Sequence, residues 1–197
     1  MNIALYNFRW MALNVFLALL PVIAAILFIR SKNRFARLFY GLIWLFFVPN
    51  TIYILTDLIH LPRQMLRVPS GVVPVLFVQY IVFEIIGTLS FLLAVYLMEH
   101  ACSRFIKKYR IRSAHIIFAM NFVIAFGVTL GRFQRTNSWE VVTNFPRVVR
   151  DINNTITSLP MVLFIVMFGL SANIIYYLFR ENIKKELRFI LDRVSNK

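Results

Sequence analysis

Apolar residues fall into five long stretches, at about 10–29, 38–57, 74–99, 114–131 and 159–179, separated by short segments that carry most of the charge. A bilayer core about 30 Å thick needs roughly 20 apolar residues at 1.5 Å each, so every stretch is predicted to be a membrane-spanning helix. The first lacks an A-x-A-like exit and reads as a retained span. Between the fourth and fifth, Thr143-Asn144-Phe145-Pro146 resembles a helix start, and Val148, Val149, Ile152 and Ile156 then share one face. A short amphipathic helix on the outer surface, placed to cover the polar site, is expected there, with a plain connecting loop as the competing reading. After the fifth stretch, Ile183, Leu187, Ile190, Leu191 and Val194 recur at helical spacing opposite a basic face. This basic C-terminal helix has two readings: lying on the inner leaflet, or simply extending span five. The predicted fold is an all-α polytopic bundle, a single integral membrane domain over residues 1–197.

Composition agrees with the pattern. Hydrophobic residues make up 60% of the 197 and charged residues only 15%, against about 45–50% and about 25% in soluble domains. The formal charge of +14, from 22 basic and 8 acidic residues, would suggest nucleic acid in a soluble chain. Here the cations cluster between apolar runs, where they act as orientation signals, so no nucleic-acid partner is expected. The single cysteine, Cys102, excludes an intrachain disulfide and a cysteine-based zinc cluster.

Those cations alternate. Arg30, Lys32, Arg34 and Arg37 follow span one; Arg104, Lys107, Lys108, Arg110 and Arg112 follow span three; Arg180, Lys184, Lys185, Arg188, Arg193 and Lys197 follow span five. The N-terminus and the 58–73 and 132–158 segments contain no lysine. The positive-inside rule therefore predicts an outside N-terminus and a cytoplasmic C-terminus.

Within span two, Asn50, Tyr53, Asp57 and His60 recur at intervals of three, four and three, which is one face of a regular helix. Polar groups are costly in hydrocarbon unless paired, so this stripe marks a site. If the helix enters near Leu38, Pro49 lies about 17 Å deep and Asp57 about 29 Å, and the site opens outward. Asp57 and His60, at i and i+3, form the candidate catalytic pair, the carboxylate orienting the imidazole. A helix-ending hydrogen bond before Leu61-Pro62 explains the same spacing. Pro49 frees the carbonyl of Leu45, and Asn50 is placed to repair groups exposed by such a kink.

Span four ends in Gly131-Arg132-Phe133-Gln134-Arg135-Thr136-Asn137-Ser138-Trp139-Glu140. Arg132 and Arg135, at i and i+3, are the candidate anion-binding residues, a fork of donors for phosphate or carboxylate. The alternative is that Arg132 pairs with Asp57 or Glu84, with Trp139 an interfacial anchor. Gly127 and Gly131 have the spacing that admits a closely packed helix. Glu84 lies near mid-membrane, where an unpaired carboxylate is expensive, and Gln79 is nearer the surface; Glu99, His100 and His115 read as interfacial residues. Asn50, Tyr53, Glu84, Asn137, Trp139 and Glu140 are the supporting residues. A metal version would recruit Asp57, His60 and Glu140, but no H-x-x-x-H or H-E-x-x-H spacing exists, and neither metal nor cofactor is expected.

The run from Phe47 to Leu61, with Pro49-Asn50, Tyr53, Thr56-Asp57 and His60-Leu61, resembles the PN-x-x-Y-x-x-TD-x-x-HL signature of bacterial membrane proteins catalogued as domain of unknown function 1361. Gly131-Arg132-Phe133, Arg135 and Asn137-Ser138-Trp139-Glu140 are similar to that family's GRF-x-R-x-NSW followed by an acid. The resemblance runs from about Trp10 into span five, with departures at Thr136, often aromatic in the family, and Glu140, often aspartate. Members commonly carry a further N-terminal span. The resemblance implies that the two motifs belong together and that the membrane is a bacterial cytoplasmic (inner) one; it implies no activity.

Three functions are consistent with these residues. The first is a site for an anionic lipid or lipid-linked headgroup, with Arg132 and Arg135 holding the anion and His60 transferring a proton. The second is a non-catalytic accessory subunit or scaffold, acting as a homo-oligomer or with a partner membrane protein. The third is a proton-coupled transporter component with Glu84, Asp57 and His60 as a relay. Whether the protein is an enzyme is left open by the sequence.

Overall fold

The computed structural model describes residues 3–108 and 113–195. Among them are no strands, and five helical segments are long and apolar enough to cross a membrane: Ile3–Arg30, Arg34–Met65, Ser70–Ser103, Ser113–Gln134 and Leu159–Leu187. The chain is an all-α polytopic helix bundle. Its second and fourth spans are not single α-helices, and that departure builds the site.

Helix α1 (Ile3–Arg30) is followed by α2 (Arg34–Phe47), which Asn33 caps by accepting from the Phe35 N–H at 2.8 Å. Pro49 then interrupts the second span. It opens the short helix α3 (Pro49–Tyr53), which passes into a 3₁₀ segment over Ile54–Ile59 and then into α4 (His60–Met65). The Thr51 N–H bonds to the carbonyl of Val48, at 3.1 Å, so the carbonyl of Phe47 loses its helical donor. The side-chain amide of Asn50 donates to that carbonyl at 3.1 Å. The repair anticipated for Asn50 therefore occurs, at Phe47 rather than Leu45.

Helix α5 (Val73–Lys108) is the most buried of the five spans. It packs against α1, the broken second span and α9 (Leu159–Ser195). Helix α6 (Ser113–Thr129) packs mainly on α9, where Asn121 Nδ2 donates to Asn173 Oδ1 at 2.9 Å, a polar link between helices whose apolar surfaces gain little from leaving lipid. Two clusters form the core. One joins Trp44, Val48, Phe91, Val95, Val128 and Tyr176; the other, nearer the site, joins Met11, Ile54, Leu61, Leu76, Tyr80 and Phe83. Large apolar side chains on the outer faces of α1, α2 and α9, such as Phe8, Phe16, Phe39 and Ile174, are exposed, as lipid-facing positions should be.

Gly127 and Gly131 do admit a neighbour, namely α3. A Cβ on Gly127 would lie 2.5 Å from Pro49 Cγ, and one on Gly131 would lie 3.4 Å from the Tyr53 ring. On the other side of the break, a Cβ on Gly87 of α5 would lie 2.8 Å from Ile54 Cβ. The interrupted segment is thus clamped between glycines of α5 and α6.

The fourth span ends in one π-helical turn, Leu130–Gln134, after which Arg135 takes the left-handed conformation, φ 56°. The turn α7 (Glu140–Thr143) and helix α8 (Phe145–Thr157), capped by Asn144, lead to α9. Helix α8 is the short amphipathic helix expected there. The described part of α9 runs without a break to Ser195, which is the extension reading of the tail; the side chains of Ile190, Leu191 and Val194 lie outside the described residues.

Candidate functional site

Six residues of 3₁₀ helix advance about 120° each instead of 100°, so side chains beyond Ile59 are rotated by roughly a third of a turn from a regular helix. The stripe of Asn50, Tyr53, Asp57 and His60 is therefore divided. Asn50 and Tyr53 line a cavity between α1 and α6, whereas Asp57 is buried, only 4% exposed, and points to a separate set of partners.

Asp57 accepts from the side chain of Asn14 on α1 at 3.2 Å and from Arg132 Nη1 at 3.3 Å. Its Oδ1 lies 3.9 Å from His60 Nε2, beyond a hydrogen bond but close enough for attraction to an imidazolium. The His60 side chain is 46% exposed and its ring packs edge-on to Trp10, 6.4 Å between centroids. Next to it, Asn7 and Gln64 exchange amide hydrogen bonds of 2.6 and 3.0 Å, fastening α4 to α1.

The two arginines part company. The π-helical turn directs Arg132 to Asp57, and the left-handed residue at its end turns Arg135 over the cavity. No ion pair of the Arg135 guanidinium is found among the described residues, and it is the one charged side chain lining the cavity. The expected fork is absent because these residues do not share a regular turn. Around Arg135, Asn50 Nδ2 donates to Ser138 Oγ at 3.0 Å, drawing the loop onto α3, and the exposed Trp139 forms part of the rim.

Glu140 stands apart from Asp57 and His60. Its carboxylate accepts from the Asn137 N–H at 2.5 Å and is ion-paired with Arg147. Arg147 also reaches Asp151, at 3.6 Å, and Thr136 donates to Asp151 at 2.7 Å. Helix α8 is thereby held over the cavity, with Val148 and Ile152 facing in. Asp57, His60 and Glu140 do not converge as a ligand set, and among the described residues no group of three or more His, Cys, Asp or Glu side chains could hold a metal ion. Glu84 is half-buried, and its two carboxylate oxygens are buried with no hydrogen-bond partner among the described residues; its pairing with Arg132 or His60 is not observed.

The cavity encloses ≈ 600 Å³, within the range of about 300–1,000 Å³ typical of small-molecule sites. Leu17, Leu45, Phe126 and Val128 make its interior apolar, while Tyr53, Arg135, Asn137 and Ser138 bring polar groups to one end. Leu13, Phe46 and Val123 border it and are exposed on the lipid-facing surface. Asn14 lines the cavity and also holds Asp57, so the two polar groups are neighbours that share one side chain.

Sequence reasoning missed Asn14, Ser138 and Arg147. Ser138 lies inside a motif, but Asn14 is a lone amide in an apolar run, and Arg147 resembles any surface cation. It also undervalued Glu99. At the opposite end of the bundle Glu99 accepts from Tyr176 at 2.6 Å and from Arg180 Nε at 3.0 Å, tying α5 to α9.

The family model described as protein of unknown function, domain of unknown function 1361, matches residues 13–175. That interval contains both motifs and every residue of the cavity. No curated protein and no solved structure shows significant similarity to the chain. The chain belongs to the membrane protein family of domain of unknown function 1361.

Proposed function

We propose that this protein binds a lipid whose headgroup carries a single negative charge, with the headgroup at Arg135 and the chain in the cavity between α1 and α6. The observation that carries the reading is the make-up of that cavity: an apolar interior, the lining residue Arg135 with no ion pair among the described residues, and a border of lipid-exposed Leu13, Phe46 and Val123. An apolar chain entering from the bilayer meets no charged group before Arg135. A guanidinium with neutral donors from Ser138, Asn137 and Tyr53 suits a phosphodiester. Arg132 is neutralised by Asp57, so a more highly charged headgroup would have no second cation. His60 does not line the cavity, which favours binding over proton transfer to the ligand.

The alternation of basic loops supports a site at the outer leaflet, with the N-terminus outside and the C-terminus cytoplasmic, in a bacterial inner membrane. The second reading, a scaffold, draws on the Asp57–Arg132 pair, which locks the second and fourth spans whether or not a ligand binds.

Native mass spectrometry of the protein extracted with its own lipids tests the proposal, comparing wild type with Arg135→Asn. Asparagine removes the charge and tolerates the left-handed backbone. Wild type is expected to retain an anionic phospholipid that Arg135→Asn loses while melting at the same temperature. Equal retention by both, or no retained lipid in either, would sink the reading and leave the scaffold.

A further inference from the structure

Two polar groups inside the bundle do not line the cavity. Both Glu84 carboxylate oxygens and the Tyr80 hydroxyl are buried without a hydrogen-bond partner among the described residues. They stand one turn apart on α5, at i and i+4, and so share a face. Tyr80 is 0% exposed, and Trp10 covers it from α1, with ring centroids 6.3 Å apart. Both groups are within electrostatic reach of Asp57. The guanidinium that could offset a second carboxylate is already engaged, since Arg132 sits 3.3 Å from Asp57.

We infer that Glu84 and Tyr80 form a buried proton-binding site in the membrane interior, with the proton held on the Glu84 carboxyl group. Charge accounting carries this inference. Two ionised carboxylates against one guanidinium would leave a net negative charge in a medium of low dielectric, with no donor directed at Glu84 among the described residues. Addition of one aqueous proton to a Glu84 oxygen forms an O–H bond, breaks none in the protein and removes that charge. Protonation makes the Glu84 carboxyl group a donor as well as an acceptor, as the Tyr80 phenol already is, and leaves a neutral group whose burial costs far less than that of a carboxylate.

The groups facing this site are few. The 3₁₀ segment supplies Asp57, whose own charged neighbours are Arg132 of the π-helical turn and His60 of α4. Helix α1 supplies the neutral Trp10 against Tyr80, and its Asn14 donates to Asp57. The titratable residues of α6 and α9 within the bundle, His115, Tyr176 and Tyr177, lie toward the far end with Glu99, fifteen residues beyond Glu84 on α5 and about 22 Å along the helix.

Infrared spectroscopy of the full chain in lipid bilayers tests the assignment without any ligand. At neutral pH the wild type is expected to show the C=O stretch of a protonated carboxylic acid, absent in Glu84→Gln, kept in Asp57→Asn and shifted in Tyr80→Phe. A wild-type spectrum with no protonated-carboxyl band at neutral pH overturns the proposal even if a variant fails to fold. So does a band that survives in Glu84→Gln, and a band unmoved in Tyr80→Phe removes the tyrosine from the site and overturns the two-residue assignment.

Discussion

Asp57 accepts from Asn14 of the first span and pairs with Arg132 of the fourth, so one carboxylate holds three spans together. Removing one partner of a buried pair strands the other without compensation, whereas removing both does not. Asp57→Ala and Arg132→Ala are each expected to cost on the order of 3 kcal/mol, with the double variant costing clearly less than their sum. Thermal unfolding of the four proteins in detergent, taken as a double-mutant cycle, measures this; strict additivity would mean that the pair contributes no coupling. Much of this residue's importance was legible. A carboxylate within an apolar run announces a partner, and Arg132 was one of the two candidates. Asn14 was not legible, because nothing near it in the sequence marks one amide of the first span as facing Asp57.

At the scale of elements, the site depends on an interrupted helix held by glycines. Pro49 of α3 rests against Gly127, where an added Cβ would lie 2.5 Å from its rigid ring, and the first residue of the 3₁₀ segment rests against Gly87. Because a proline ring cannot turn aside, Gly127→Ala should force the second and fourth spans apart and destabilise by about 1–3 kcal/mol. Gly71→Ala is the control, since nothing lies within 4 Å of its Cβ position, and it should be neutral. A melting temperature for Gly127→Ala equal to that of Gly71→Ala would show that the contact relaxes freely. The Gly127 and Gly131 spacing announced a close helix neighbour, and the structure identifies it as α3. The division of the polar stripe was hidden, because a helical wheel assumes one angular step throughout and the 3₁₀ segment uses another. The separation of Arg132 from Arg135 was hidden for the same reason, now with a π-helical turn and a left-handed residue.

Across the whole molecule, charge and hydropathy set the frame. If the basic loops are cytoplasmic, α8 and the cavity lie outside, and a cysteine on the exposed face of α8 should react with an impermeant thiol reagent in intact cells. Arg150 is exposed, so Arg150→Cys in a Cys102→Ser background is expected to label without lysis, while Cys102 of the wild type labels only after it. The reverse order would invert the topology and put the cavity on the inner side.

Five spans, their approximate limits, the short helix α8 and the two polar motifs follow from the sequence by itself, because each rests on local chemistry: the length of an apolar run, a helix cap, a proline, a polar group too costly to leave alone in hydrocarbon. Tertiary structure alone decided which polar groups meet. Asp57 turned from Asn50 and Tyr53, Arg132 joined it, Arg135 was left to the cavity, Glu140 went to Arg147, and the Glu84 carboxylate oxygens were left without a hydrogen-bond partner among the described residues. Those outcomes depend on how interrupted helices rotate against glycine contacts on other spans, and that rotation is a property of packing between distant segments.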